Sequence, residues 1–194
     1  MKLSLRERRR KQTAMDIQRA TLALARESGF DHVTTDAISE RAGISPRTFF
    51  NYYTNKEAAA VGEPPTMPDQ ALELLRTGRG SLRDDLRKVL EMHLEQLVDR
   101  GDIISGIGML WRENAQVRWL LEQAIEGMAD DLATCLAERR PDLPETLRRD
   151  LADWTMNLSG LAIGAWVAKE APSLPEALDR MWTDQLALAG VLAG

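Results

Sequence analysis

The chain has 194 residues, and its hydrophobic fraction of 44% is enough to bury a core in one large or two small domains. No stretch approaches the roughly 20 apolar residues of a membrane span, and the charged N-terminus is not followed by the apolar run of a secretory signal. Cys135 is the only cysteine, which excludes an intramolecular disulfide and suits a reducing compartment. We therefore expect a cytoplasmic protein without a membrane partner.

Charge is distributed unevenly along the chain. The net charge is −5, yet residues 1–60 carry 11 Lys/Arg and only 7 Asp/Glu, so that residues 61–194 are strongly acidic. A basic end on an acidic body is typical of a protein that contacts a polyanion with one end only. The acidic total therefore does not argue against nucleic-acid binding.

The chain begins with a run of cations that we expect to be a disordered arm in the absence of DNA, as chain ends usually are. With DNA present, such an arm reaches phosphates or an adjacent minor groove and adds mainly sequence-independent affinity. The cations are Lys2, Arg6, Arg8, Arg9, Arg10 and Lys11.

A first helix is predicted over residues 12–28, because Ala14, Ile17, Leu24 and other apolar residues recur at helical spacing and Gly29 follows. A second helix is predicted from Thr35, whose hydroxyl is suited to capping free N–H groups, and Gly43 ends it. The first helix is expected to bury the inner faces of the helices after it.

The next segment predicts a helix-turn-helix. Ser45 is suited to be an N-cap and Pro46 to be the first residue of a helix that runs from Arg47 to about residue 53. Thr54 and Glu57 have the spacing of a capping box, which predicts the start of another helix. Two short helices joined by a glycine-centred turn can place the second helix in a DNA major groove.

The order GISPRTFFNYYTNKE, about thirty residues after a basic start, resembles the DNA-binding domain of the TetR family of transcriptional regulators. The resemblance covers roughly residues 12–60. It implies a homodimer that binds a palindromic operator in double-stranded DNA and responds to a small-molecule effector. Because repression is the usual function in this family, the resemblance also implies that the protein is a repressor.

The resemblance also implies a set of DNA contacts. Arg47 offers a bidentate fork for a guanine edge or a phosphate, Thr48 can meet a thymine methyl or a phosphate, and Asn51 can read a base or hold a phosphate. Tyr52 and Lys56 are expected to hold the DNA backbone. The complete set is Thr35, Ser45, Arg47, Thr48, Asn51, Tyr52 and Lys56.

Two aromatic positions depart from the family pattern. The family usually places Tyr where this chain has Phe50, and Phe where it has Tyr53. Phe50 lacks the hydroxyl that would hold a phosphate, which leaves van der Waals contact open. Phe49 and Tyr53 are expected to pack in the core.

Residues 62–69, GEPPTMPD, contain three prolines in five residues and cannot continue a helix. In the family, the helix that starts near Lys56 is usually long. Here we expect it to break near Gly62, with a new helix from about Pro68. The segment could act as a hinge that sets the distance between two DNA-binding heads.

Five further helices are predicted from apolar residues at 3/4 spacing and from terminating Gly or Pro residues; they cover residues 81–100, 103–114, 115–140, 144–169 and 174–192. No segment has strand alternation. We therefore predict an all-α fold of nine or ten helices. Residues 1–60 would form a basic arm and a three-helix helix-turn-helix domain, and residues 61–194 a larger helical domain for ligand binding and dimerisation.

The predicted dimerisation residues lie in the last two helices. Small residues at four-residue spacing let another helix approach closely, and the apolar run LALAGVLAG needs cover. In the family these helices form a four-helix dimer interface, although an internal crossing in a monomer would also explain the spacing. The candidates are Gly160, Gly164, Ala168 and Leu186.

The middle helices are rich in Met and Trp, which suit a cavity for an apolar or aromatic ligand. Each of these residues alone fits an ordinary core, but the set, together with the family's habit of sensing small molecules in this domain, indicates a ligand site. The candidates are Met92, His93, Gln96, Met109, Trp111, Met128, Trp154 and Asn157.

An enzyme is the competing class, and the sequence argues against it. It contains no Gly-rich phosphate loop, nucleophile elbow or metal-ligand spacing. His32 and His93 are expected to be exposed or hydrogen-bonded rather than catalytic. We predict no catalytic residue, metal site or cofactor. The remaining alternative is a helical adaptor that binds DNA non-specifically and has no effector.

Overall fold

The computed structural model describes residues 4–64 and 66–194, and it confirms the predicted all-α fold. In these ranges there are ten α-helices, 3-10 helices at Phe30–His32 and Val98–Arg100, and no strand. No helix in this part of the chain is long and apolar enough to cross a membrane. The α-helices are α1 (Leu5–Ser28), α2 (Thr35–Arg41), α3 (Pro46–Phe50), α4 (Lys56–Val61), α5 (Asp69–Thr77), α6 (Leu82–Glu95), α7 (Gly101–Glu113), α8 (Ala115–Arg139), α9 (Glu145–Val167) and α10 (Leu174–Ala193).

The chain is divided into two compact units, and the first combines the residues up to Pro64 with Asp102–Glu122. In this unit α1 packs against α2 and α4, and α2 packs against α3. Ile17, Ile38 and Phe49 are completely buried at its centre. The unit therefore holds the helix-turn-helix on a core to which α1 contributes.

Residues 102–122 join the first unit, although the predicted division at residue 60 assigns them to the second domain. Leu110 and Val117 are completely buried in the core cluster of the first unit. A Cβ at Gly106 would lie 3.2 Å from the Leu22 side chain, so the glycine lets α7 approach α1 closely. The division of function between residues 1–60 and 61–194 stays a prediction.

The second unit comprises Pro65–Gly101 and Gln123–Gly194. Here α9 packs along α10 and α6, and α5 packs against α6. Leu90, Leu158 and Leu178 are among its completely or almost completely buried side chains. The buried faces of these helices pack against one another, which is how an all-α unit builds a core.

The prediction of a disordered basic arm is wrong for residues 5–11, which form the first two turns of α1. Ser4 and Glu7 form a capping box, in which Glu7 N–H donates to Ser4 Oγ at 3.2 Å and Ser4 N–H donates to Glu7 Oε2 at 2.7 Å. This reciprocal pair satisfies two N–H groups at the helix start. Lys2 lies outside the described residues.

In two helices the N-cap residue lies one position away from the predicted one. Thr34 rather than Thr35 caps α2, and Asn55 rather than Thr54 caps α4. In both cases two adjacent polar residues can cap a helix, and the sequence alone does not decide which one takes the extended backbone of an N-cap. The predicted caps of α3 are confirmed, with Ser45 as N-cap and Pro46 as first residue.

The proline-rich segment breaks the helical path as predicted. Helix α4 ends at Val61, Gly62 follows at φ 70°, and Pro68 is the N-cap residue of α5. Pro65 lies outside the described residues. The long helix that the family usually has after Lys56 is therefore divided into α4 and α5.

Candidate nucleic-acid interface and ligand site

Helix α3 is fixed at its start by a cap and on one side by burial. Ser45 Oγ accepts a hydrogen bond from Thr48 N–H at 3.0 Å and lies 2.8 Å from Thr48 Oγ1. Phe49 is completely buried, as predicted for a core residue. A helix anchored in this way has one orientation about its axis, and its opposite side is presented outward.

The outward side of α3 carries the side chains that could meet DNA. Ser45, Arg47 and Asn51 are exposed, and Thr48 is half-buried. Phe50 is also exposed, with 56% of its surface accessible. Asn51, the C-cap residue directly after α3, keeps a helical backbone and is four positions from Arg47, a spacing that places both side chains on one side, as a pair of base-reading residues would require.

The aromatic pair after α3 connects this surface to the start of α1. Tyr52 is half-buried, and the guanidinium carbon of Arg10 lies 5.4 Å from the centre of its ring. Tyr53 is also half-buried, and its hydroxyl donates to the Ala14 carbonyl at 3.3 Å. Burial, with Glu63 nearby, raises the pKa of Tyr53 to about 12, so this hydroxyl stays protonated. The contact of Arg10 with Tyr52 was not predicted, because the arm was not expected to be helical.

Lys56 has partners within the chain. Its ammonium group donates to the carbonyls of Phe30, at 2.8 Å, and Asp31, at 3.2 Å, and lies 4.8 Å from the centre of the Phe30 ring. These contacts hold the 3-10 helix between α1 and α2 against α4. They are not visible in the sequence, since they join residues 25 and 26 positions apart. The role of Lys56 in holding the DNA backbone, like that of half-buried Thr35, stays a prediction.

The eight ligand candidates are divided between the two units. Met109 and Trp111, both half-buried, belong to the first unit, and the other six belong to the second. In the second unit Met128 is buried, Met92 and Trp154 are half-buried, and Gln96 and Asn157 are exposed. The side-chain amide of Gln96 donates to the Thr66 carbonyl at 3.2 Å.

Trp182 is not part of the predicted aromatic set, yet its buried ring packs against Trp154. Their ring centres are 5.5 Å apart, and Trp182 is only 3% exposed. Its position within the apolar pattern of α10 is a signal that could have been used. The pair shows that aromatic surface of α9 is buried against α10.

His93 on α6 is only 2% exposed. Its Nδ1 is the one buried side-chain nitrogen or oxygen in the described residues without a hydrogen-bond partner. The expectation of an exposed or hydrogen-bonded histidine is therefore wrong at this position. Burial lowers the pKa of His93 to about 4, so that the imidazole is neutral near pH 7.

We expect His93 to make stability depend on pH. Its pKa is lower in the folded protein than the 6.5 of an exposed histidine, so the unfolded state binds the proton more readily. The contribution of neutral His93 is complete above about pH 6.5 and is lost as the pH falls towards 4, by at most about 1.4 kcal/mol per pH unit. Urea unfolding of wild type and His93→Leu across this range measures the difference in slope.

The control for this measurement is His32→Leu, because His32 is exposed. This variant should keep the wild-type slope, whereas His93→Leu should have a shallower one. Equal slopes for wild type and His93→Leu would show that His93 binds a proton as readily in the folded protein as in the unfolded chain.

The predicted dimerisation residues lie on an uncovered side of α9 and α10. Gly160, Gly164 and Ala168 are exposed and Leu186 is half-buried, and a Cβ added at Gly160 or Gly164 would meet no atom within 4 Å. Large apolar side chains accompany them on the same two helices: Leu161, Leu188, Val191 and Leu192 are 38%, 50%, 78% and 79% exposed. Apolar surface of this extent in a folded protein usually marks an interaction site.

Comparison with known proteins identifies the family. The model of the bacterial regulatory proteins of the tetR family matches residues 17–58, which include α2, α3 and the second half of α1. A relative in Mycobacterium tuberculosis is MftR, named as a mycofactocin biosynthesis transcriptional regulator. It is 31% identical over 185 residues, covering 88% of each chain. The chain belongs to the TetR family of transcriptional regulators.

Two further TetR-family comparisons agree with this assignment. The HTH-type transcriptional regulator TcmR of Streptomyces glaucescens is 32% identical over 83 residues, which are 41% of this chain and 36% of TcmR. The crystal structure of a TetR-family transcriptional regulator from Syntrophomonas wolfei is 14% identical and covers 93% of this chain and 96% of its own, with a TM-score of 0.67. The fold is thus shared over almost the whole chain.

Proposed function

We propose that this TetR-family protein is a repressor that binds a palindromic operator as a homodimer and is released by a small apolar or aromatic effector. The observation that carries the proposal is the capped, half-buried α3, with Arg47 and Asn51 exposed on one side. Arg and Asn are the side chains that form bidentate hydrogen bonds with guanine and adenine in the major groove. The protein would act in the cytoplasm, and we propose no catalytic activity for it.

The basic start of α1 supplies the sequence-independent part of the affinity. Because residues 5–11 are helical, Arg6, Arg9 and Arg10 would meet phosphates from a rigid helix rather than from a flexible arm. The contact between Arg10 and Tyr52 brings one of these cations next to a second proposed backbone contact. Phosphate contacts of this kind set the register in which α3 enters the groove.

Dimerisation is supported by the uncovered apolar side of α9 and α10. The open space over Gly160 and Gly164 would admit the helices of a second copy, and Leu188, Val191 and Leu192 would lose their exposure. A two-fold axis at this contact would repeat α3, and two equivalent heads match a palindrome.

The effector is proposed to bind in the second unit next to His93. A buried polar atom without a partner destabilises the fold, and one that is retained calls for an explanation in function. A ligand group that forms a hydrogen bond with Nδ1 would satisfy this atom. The contact of half-buried Trp154 with buried Trp182, in the same unit, favours an apolar or aromatic ligand body. The effector would weaken DNA binding by favouring a conformation with altered head spacing.

Selection of genomic DNA fragments tests this proposal. The purified protein is mixed with fragments of its source genome at moderate salt, and the retained fragments are sequenced. The proposal predicts a recurring palindrome whose half-site centres are about one helical turn, or slightly more, apart. Retention that depends on salt but not on sequence would instead support the helical adaptor with non-specific DNA binding.

The same selection addresses the regulated genes. The name of MftR links that protein to mycofactocin biosynthesis. A palindrome beside genes of that kind would extend the link to this chain, and a palindrome elsewhere would separate the two proteins in function. In either case the neighbouring genes indicate which compounds to test for release of the protein from DNA.

A further inference from the structure

Phe50 is an exposed apolar residue of α3, next to the polar side chain of Arg47. It is 56% exposed, whereas the adjacent Phe49 is completely buried. The two rings meet edge to face with their centres 5.3 Å apart, so the Phe50 ring rests against a fixed core residue. Contact with the buried ring limits the directions in which Phe50 can point.

The helical arrangement places Phe50 next to Arg47 of the proposed DNA-contacting surface, between Arg47 and the exposed Pro46. With about 100° per residue, Pro46, Phe50, Arg47 and Asn51 lie near 0°, 40°, 100° and 140° around the axis, whereas Phe49 lies near 300°. Pro46, Arg47 and Asn51 are exposed, in agreement with this arrangement. An α3 that presents Arg47 and Asn51 to base edges therefore presents the Phe50 ring to the same groove.

The chemistry of the major groove offers one apolar target. The C5-methyl group of thymine projects into this groove and is contacted by apolar side chains, including Phe. An exposed aromatic ring gains from covering a methyl group because both lose contact with water. A polar base edge would lose hydrogen bonds to water against the same ring without replacing them.

We propose that Phe50 is a specificity-determining residue that recognises the C5-methyl group of one thymine in each half-site. The inference rests on the proposed function, because it requires that α3 enters a major groove. It adds an apolar contact to the hydrogen-bonding contacts of Arg47 and Asn51. It also gives a reason for keeping an exposed phenylalanine in the helix.

Deoxyuridine provides the test, because it pairs as thymine does but lacks the C5-methyl group. Each thymine of the selected operator is replaced singly by deoxyuridine, and dissociation constants are measured at one salt concentration. For wild type, we expect one position per half-site at which binding weakens about fourfold, the effect of leaving one methyl group uncovered. Phe50→Ala should bind the thymine and deoxyuridine operators equally well.

Two variants serve as controls. Phe50→Leu keeps an apolar side chain and should retain part of the preference for thymine. Asn51→Ala removes a neighbouring polar side chain and should weaken binding to both operators alike, so that the fourfold ratio remains. Thermal unfolding of Phe50→Ala confirms that the variant is folded, as expected for an exposed position.

The outcomes separate this inference from the proposed function. If wild type selects an operator but tolerates deoxyuridine at every position, or if Phe50→Ala keeps the wild-type ratio, the role of Phe50 is overturned and the regulator remains. If no sequence-selective binding is found, the proposed function fails and the role of Phe50 fails with it.

Discussion

Arg139→Ala is expected to lower the free energy of unfolding by about 3–5 kcal/mol, the range for breaking a buried ion pair on one side. The guanidinium of Arg139 lies 2.6 Å from Asp85 Oδ2, and the two side chains are only 7% and 9% exposed. Without Arg139, the Asp85 carboxylate would remain buried without its counter-charge.

The arginine also satisfies backbone groups of the second unit. It donates to the carbonyl of Leu75 at 3.2 Å and to that of Gly80 at 3.1 Å, so that it joins α8 to α5 and to the loop before α6. A Cβ at Gly78 would lie 2.5 Å from Asp85 Oδ2 and 2.8 Å from an Arg139 nitrogen, which shows how closely the loop surrounds the pair. The loss of Arg139 therefore removes a charge pair and two hydrogen bonds together.

Chemical denaturation of Arg139→Ala measures this effect. Arg149→Ala is the matched control, because Arg149 forms ion pairs with Asp130 and Asp153 that are largely exposed. The control should unfold at the same denaturant concentration as wild type, since exposed ion pairs contribute little. Replacing both buried partners, with Asp85→Leu and Arg139→Met, should recover much of the loss. Wild-type stability of Arg139→Ala would show that the pair contributes nothing.

Gly62→Ala is expected to have the second largest effect, a loss of about 3 kcal/mol in the free energy of unfolding, the upper end of the range for a strained backbone. Gly62 adopts φ 70° and ψ −151°, a conformation that is essentially restricted to glycine. An added Cβ would also lie 2.4 Å from the Cδ atom of Gln18. Both the backbone conformation and the space exclude a side chain.

The side chain of Gln18 fills the space next to Gly62, where it forms hydrogen bonds with the end of α4. Gln18 is 5% exposed, and its side-chain amide donates to the carbonyls of Ala60, at 3.1 Å, and Val61, at 2.6 Å. These are carbonyls at the end of α4 that have no partner within the helix. Gln18, which lies on α1, thus satisfies the last carbonyls of α4. The absence of a side chain at Gly62 leaves room for it.

Gly127→Ala is the control for glycine replacement, since Gly127 lies in α8 and an added Cβ would meet no atom within 4 Å. There we expect a gain of up to about 1 kcal/mol, because alanine favours a helix more than glycine does. Thermal or urea unfolding of the two variants should therefore move in opposite directions. A Gly62→Ala variant as stable as wild type would contradict the account of the α4 terminus.

Much of the fold could be predicted because its signals are local. The Ser45–Pro46 start of α3 and the break after Val61 follow from residues within a few positions of the features that they determine. The errors are of two kinds. Thr35 and Thr54 each stand beside an equally suitable cap residue, and the cations of the first eleven residues obscure the Ser4–Glu7 capping box.

The remaining features depend on contacts between distant parts of the chain. The close approach of Gly106 to Leu22, which brings residues 102–122 into the first unit, has no local signature. The same is true of the Arg139–Asp85 pair, whose members are 54 residues apart. For the site, the sequence predicts which residue types are suited to contact DNA, and the structure adds which of them are exposed on one side of α3.

The central claim is that α3 reads base sequence, and the affinities of wild type and Arg47→Ala for the selected operator and for a scrambled duplex test it most directly. Arg26→Ala, which removes another exposed arginine from the first unit, controls for the loss of charge. We predict that Arg47→Ala weakens operator binding about tenfold to a hundredfold, the worth of a bidentate base contact. Binding to the scrambled duplex should change much less. An operator preference in Arg47→Ala equal to that of wild type would contradict the claim.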